Sequence, residues 1–159
     1  MNEAEQAVLG AIFLDSDTLI DAMEIVTPRS FYRRSHQIIF QSMIQLSNRG
    51  EAIDLVTLKA EIEKSNALED IGGISYLSEL SQSTPSSASV SYYAKIVDDK
   101  SLLRQLIQTA NQIVVKSFEQ GEEVQAIVDE AERSILEVSE KRNSTGFQSI
   151  ADVLNQSIE

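Results

Sequence analysis

From Ala88 to Phe118 the chain holds neither glycine nor proline, and Leu103, Leu106, Ile107, Ala110, Ile113 and Val114 recur along it at helical spacing. A run of that length with one apolar stripe predicts a long helix, on the order of 45 Å if continuous. A kink is allowed near Asp98-Asp99-Lys100. Gly121 marks a turn, and Val124, Ile127, Val128, Ala131, Ile135 and Val138 then begin a second striped helix. The two together predict a long antiparallel helical hairpin. Its helices bury one seam against each other, but Leu102, Val115 and Leu136 lie off that seam. Two helices alone rarely bury enough surface to offset chain entropy. The hairpin must therefore fold back on the head or pack against another hairpin. The second is favoured because a helix of this length would project beyond the head, and symmetric pairing supplies it. Leu103, Leu106, Ala110, Val114, Ile127, Val128 and Ile135 are the candidates for that self-association.

Ahead of the hairpin the pattern is also helical, in shorter pieces. Ala4, Ala7, Val8, Ala11 and Ile12 follow i, i+3, i+4 spacing, and Asp15-Ser16-Asp17 is placed to stop that helix and cap a second, through Ile25. Thr27-Pro28 looks like an N-cap followed by proline at the first helical position. The helix expected from there puts His36, Ile39, Phe40, Met43 and Ile44 on one face and ends near Gly50. Asp54 is the expected cap of the next, and Gly72-Gly73 breaks the chain before Ile74–Leu80. Residues 1–87 thus read as a globular helical head closed by the loop Ser83–Ser87, and residues 88–141 as the hairpin. Residues 142–159 read as a linker followed by the start of a linker helix carrying Ile150, Val153, Leu154 and Ile158. That last amphipathic stretch has nothing of its own to cover and looks like a piece of something longer. The expected class is all-α.

Composition narrows the function. With 42% hydrophobic and 24% charged residues the chain suits a packed core rather than a disordered tail. No window resembles a membrane span, and the acidic start lacks the basic region of a signal peptide. There is no cysteine, so disulfides and thiolate metal sites are excluded. The net charge of −12 disfavours tight binding of nucleic acid, whose affinity comes mainly from Lys and Arg against phosphates. The one compact basic cluster is Arg29, Arg33 and Arg34 around Phe31-Tyr32, read here as ordinary surface charge. A protein partner is favoured.

The order of certain short runs carries a resemblance. Glu3–Gly10, Phe31-Tyr32 with Ser35-His36 and Ile39-Phe40, Ile53–Leu58, Gly72–Leu77, Thr84-Pro85, Tyr92–Val97, Ala131–Arg133 and Ile150–Leu154 are similar, in this order along the whole chain, to the N-terminal region of DnaB-family bacterial replicative DNA helicases. The texture is closest to Gram-positive members. The resemblance implies a cytoplasmic protein of the bacterial replication fork, whose heads and hairpins pair into a ring collar. That collar is commonly a trimer of dimers crowning a hexameric RecA-like ATPase. It implies docking of the C-terminal domain of primase on the collar, and packing of Ile150, Val153, Leu154 and Ile158 on a neighbouring subunit. A helicase loader is a further candidate partner. Under the resemblance Glu3, Tyr76, Ile107 and Ile113 become candidate primase contacts.

The 159 residues contain no Gly-x-x-x-x-Gly-Lys-Ser/Thr run, so nothing here cradles phosphates in the manner of a nucleotide-binding loop. No catalytic residue and no cofactor or metal ligand is expected in this chain; ATP and magnesium belong to the family's downstream domain. His36 is the single histidine and is expected as a packed or hydrogen-bonded core residue. Glu3 and Glu5, beside Gln6, offer a paired-carboxylate site, but the favoured reading is first-turn acids stabilised by the helix dipole. An alternative to primase recruitment is a purely structural spacer that sets ring geometry. A small independent enzyme is disfavoured for want of a nucleophile–base pair.

Overall fold

The computed structural model describes residues 3–84 and 86–140, and all regular structure among them is helical. Pro85 and the expected linker and linker helix, with Ile150, Val153, Leu154 and Ile158, lie outside the described residues. Two compact units divide the chain, Met1–Ser101 and Leu102–Glu159.

In the first unit α1 (Glu3–Leu14) is enclosed on most of its circumference, with Glu5 and every residue from Val8 to Ile12 buried. It packs against α2 (Thr18–Met23), α3 (Arg34–Asn48) and α5 (Gly73–Ser81), while α4 (Leu55–Glu63) bridges α3 and α5. Such burial demands a small residue at the closest approach. A Cβ on Gly10 would stand 2.6 Å from Ser83 Oγ and 2.9 Å from the Leu80 carbonyl oxygen. The core is built from Leu9, Ile12, Ile39, Met43, Leu58, Ile62, Leu77 and Leu80, with Phe31 and Phe40 in ring contact at 4.9 Å. The helix α6 (Val90–Glu119) contributes Val90, Ala94, Val97 and Ser101 to the buried set from its first turns.

The caps follow the sequence in part. Asp54 accepts from the Thr57 N–H at 2.9 Å while the Thr57 hydroxyl oxygen accepts from the Asp54 N–H at 3.0 Å, the reciprocal cap that fixes α4. Asp15 rather than Asp17 makes the turn before α2, accepting from the Asp17 N–H at 3.1 Å, and α2 ends at Met23, short of Ile25. Pro28 does not begin α3. It opens a separate 3-10 turn, Pro28–Ser30, after which Phe31 and Arg33 are extended and α3 starts at Arg34. The cause is tertiary: the backbone N–H of Tyr32 is held by a carboxylate from α1, and Phe31 drives its ring into the core.

In the second unit α6 continues to Glu119, and residues 124–140 form a further helix, α7. Asp98–Lys100, where a kink is allowed, are helical. The reversal is made by Gln120, in the left-handed region at φ 51°, with Gly121 following it. Ile113 and Lys116 of α6 line a shared cleft with Ile127, Glu130 and Ala131 of α7, and Lys116 pairs with Glu130.

Candidate functional site

Glu5, His36 and Tyr76 come from three helices and meet in the first unit. His36, in the first turn of α3, is fully buried. Its Nδ1 lies 2.7 Å from Glu5 Oε1, and its Nε2 lies 2.5 Å from the Tyr76 hydroxyl. The Tyr32 N–H donates to Glu5 Oε2 at 2.7 Å, and the Gln6 amide donates to the Tyr76 oxygen at 3.3 Å. A consistent proton order follows: Nδ1–H donates to the carboxylate, and the tyrosine hydroxyl donates to bare Nε2. Among the described residues no buried side-chain nitrogen or oxygen is left without a hydrogen-bond partner. Burial pushes the Glu5 carboxyl up, but the bonds from His36 and Tyr32 outweigh it and hold it below the usual carboxylate range.

A carboxylate–imidazole–hydroxyl row has the order of a nucleophilic triad, but the geometry gives it another task. The imidazole has no exposed edge, and both its nitrogens are engaged inside the protein. The row ties α1, α3 and α5 together. Gly72 completes it: at φ 104° it enters α5 in a conformation that favours glycine, and a Cβ there would lie 2.9 Å from the Tyr76 Cβ. Among the described residues no cluster of His, Asp and Glu is placed to hold a metal ion.

The other sequence candidates distribute as follows. Glu3 is exposed on the first turn of α1, and Tyr76 is half-buried with its ring stacked on His36 at 5.9 Å. Ile107 is 59% exposed and Ile113 is half-buried beside α7. Glu3 and Tyr76 belong to the first unit, Ile107 and Ile113 to the second. Of the self-association candidates, Leu103, Leu106, Ala110, Val114, Val128 and Ile135 are exposed and Ile127 is half-buried in the cleft. Val115, Phe118, Val124 and Leu136 are exposed as well, so the apolar surface is wider than the stripe alone.

Sequence reasoning missed the role of Glu5. It is not a solvated first-turn acid but the buried partner of a histidine 31 positions away. The signal present was weak: one histidine on an apolar face requires a polar partner, and Glu5 shares its helix face with Leu9 and Ile12. Gly10 was equally silent.

Comparison with known proteins gives a consistent set. A family described as the DnaB-like helicase N terminal domain matches residues 1–99. The replicative DNA helicase DnaB of Geobacillus stearothermophilus is 51% identical over 154 residues, covering 97% of this chain and 34% of the relative. The replicative DNA helicase DnaC of Bacillus subtilis is 49% identical over the same shares. The chain thus spans about a third of the length of these curated relatives. The crystal structure of the N-terminal domain of DnaB helicase from Mycobacterium tuberculosis superimposes with a TM-score of 0.82 at 37% identity, over 86% of this chain and 96% of that one. A structure of a DnaB-like replicative helicase and its interactions with primase matches with a TM-score of 0.71 at 25% identity, over 95% of this chain and 35% of that one.

Proposed function

Since the chain belongs to the family of DnaB-like helicase N-terminal domains, we propose that it is the collar module of a bacterial replicative helicase, self-associating through its hairpin and receiving primase. The observation that carries this reading is the uncovered apolar surface of the second unit. Leu103, Ile107, Val114, Val115 and Leu136 are each more than half exposed. Exposed apolar residues in this number are costly in water and mark an interaction surface. Pairing of hairpins covers it, and repetition of that contact with a second contact between heads closes a ring.

Primase recruitment rests on the relative whose structure concerns its interactions with primase. Glu3 and Ile107 are exposed and available to a partner, and Tyr76 and Ile113 lie at the margins of the head core and the hairpin cleft. Unwinding, with ATP and magnesium, falls to the remaining two thirds of the whole protein. Ile150, Val153, Leu154 and Ile158, whose spacing in the sequence is helical, would pack on a neighbouring subunit there. A spacer without primase contact is the competing reading.

Light scattering on a sizing column separates the two, with the chain alone and then with the C-terminal domain of its own primase. A multimer that grows heavier with primase supports the proposal. A multimer indifferent to primase leaves only the spacer, and a monomer indifferent to primase removes both halves of the reading.

A further inference from the structure

The Arg29–Arg34 turn has a use that collar assembly does not absorb. Residues 1–28 carry no Lys or Arg, yet Arg29, Arg33 and Arg34 follow at once and all are exposed. Tyr32 stands among them 70% exposed, while the neighbouring Phe31 is buried. The turn is held from both sides. The Thr27 N–H donates to Ser30 Oγ at 3.0 Å, the Tyr32 N–H to Glu5 Oε2 at 2.7 Å, and the Gln37 amide to the Phe31 carbonyl at 2.8 Å. A segment fixed by a buried carboxylate has already lost the freedom that binding would otherwise remove.

The turn opens onto a groove of about 480 Å³ between α3 and α4. Arg34, Gln41 and Gln45 line it from α3, while Lys64 and Ser65 line the opposite wall, where Lys64 is held by Glu61. The carboxylate in its lining, Glu61, is neutralised by Arg49 and by Lys64 at 3.0 Å, leaving the groove without an unpaired negative charge from that residue.

We infer that the Arg29–Arg34 turn and the adjoining α3–α4 groove bind single-stranded nucleic acid, with a base stacked on exposed Tyr32 and phosphates on the surrounding arginines. Arginine matches phosphate geometry in two-pronged fashion. An exposed aromatic ring between cations is the platform on which an unpaired base stacks, whatever its identity. Gln41 and Gln45 offer amide groups to base edges further along. An acidic peptide would use the arginines but leave the tyrosine face idle. The chain's net charge of −12 makes the interaction weak and salt-sensitive.

Fluorescence anisotropy with the 159-residue chain and a labelled oligo-dT of about 20 nucleotides tests the site at low salt. A dissociation constant between about 1 and 100 μM is expected, weakening with salt on a log–log slope near −2. Replacing Arg33 and Arg34 together by Ala is expected to weaken binding at least tenfold, by roughly the worth of two phosphate contacts, and to flatten the slope. Tyr32→Ala is expected to weaken it about fivefold with the slope unchanged. Both variants remove exposed side chains, so their thermal melting serves as the control for folding. Oligo-rU in place of oligo-dT tells whether the sugar matters, and binding of either supports the site. Absence of saturable binding to both overturns it. So does full affinity in Tyr32→Ala, or displacement of the oligonucleotide at equal concentration by a poly-glutamate peptide, which would reassign the groove to acidic protein segments.

Discussion

The Tyr76 hydroxyl lies 2.5 Å from Nε2 of His36, 40 positions earlier in the chain, and the two rings stack with only 14° between their planes. The phenol therefore serves the interior even though its ring is half-buried. Tyr76→Phe would leave His36 Nε2 without its donor and Gln6 without its acceptor, at a cost of about 1–2 kcal/mol. Tyr76→Ala would remove the stacked ring as well and cost about 3 kcal/mol. Urea unfolding of the two variants measures the difference. If Tyr76 also contacts primase through its ring, Tyr76→Phe keeps most of that affinity while Tyr76→Ala loses it. Tyr76→Ala is thus the variant that reads docking, and Tyr76→Phe the control for the lost hydrogen bonds.

Glu5 anchors the other side of the same imidazole. Glu5→Ala strands the His36 Nδ1–H and the Tyr32 N–H together, and a loss of about 2–3 kcal/mol is expected by urea unfolding. Hydrogen exchange at the Tyr32 amide should accelerate in the same variant, because its acceptor is gone. An unchanged exchange rate there would show that the turn is held by something other than the carboxylate.

Much of the helical framework was legible because its causes are local. The i, i+3, i+4 stripe of α3, the Asp54–Thr57 cap and the uninterrupted run of α6 each depend on residues within one or two turns of one another. Glu5 and Pro28 were misread for the opposite reason. What buries Glu5 is a histidine two elements away, and what ends the Pro28 turn is that same carboxylate taking the Tyr32 N–H. Periodicity reports which face of a helix is apolar; it does not report which polar group on that face has a partner. The exposure of Val115 and Leu136 was legible, since they lie off the seam, whereas that of Leu103 and Ile107, which sit on the stripe itself, was not.

Gly10 offers a test of the close packing of α1 on α5. Elsewhere in a helix Gly→Ala stabilises by up to about 1 kcal/mol. Here the new methyl would meet Ser83 Oγ at 2.6 Å, Thr84 Oγ1 at 2.7 Å and a backbone oxygen at 2.9 Å. The hydroxyls can rotate but the Leu80 carbonyl cannot, so a net loss of about 1–3 kcal/mol is expected for Gly10→Ala in thermal or urea melts. A gain in stability would mean that α5 shifts freely against α1.

Acid should unfold the chain in a defined window. Arg49 and Lys64 hold the Glu61 carboxyl down at about 2, and Glu5 is also held below its usual range. Both carboxyls bind protons more weakly folded than unfolded, so the stability they add is complete above the unfolded value near 4.5 and drains away as pH falls toward the folded values. The urea midpoint should therefore hold steady from neutral pH to about 5 and fall below it. Glu61→Gln should lower the neutral midpoint and flatten the acid limb. A parallel limb in that variant would locate the acid sensitivity elsewhere.

The uncovered face of the second unit makes the sharpest demand. Leu103 and Val114 are 58% and 51% exposed on α6, and neither belongs to the buried core. Leu103→Asp combined with Val114→Asp should therefore spare the core, each substitution costing at most about 0.7 kcal/mol in helix propensity. Facing a second hairpin, the same carboxylates would be driven into an apolar contact, where an unpaired charge is far more expensive. Light scattering should then show the multimer falling to the mass of one chain, while the melting of the first unit stays close to that of the parent. A variant that remains multimeric would place the assembly contact on another surface, since no hairpin pairing through this stripe tolerates two buried carboxylates.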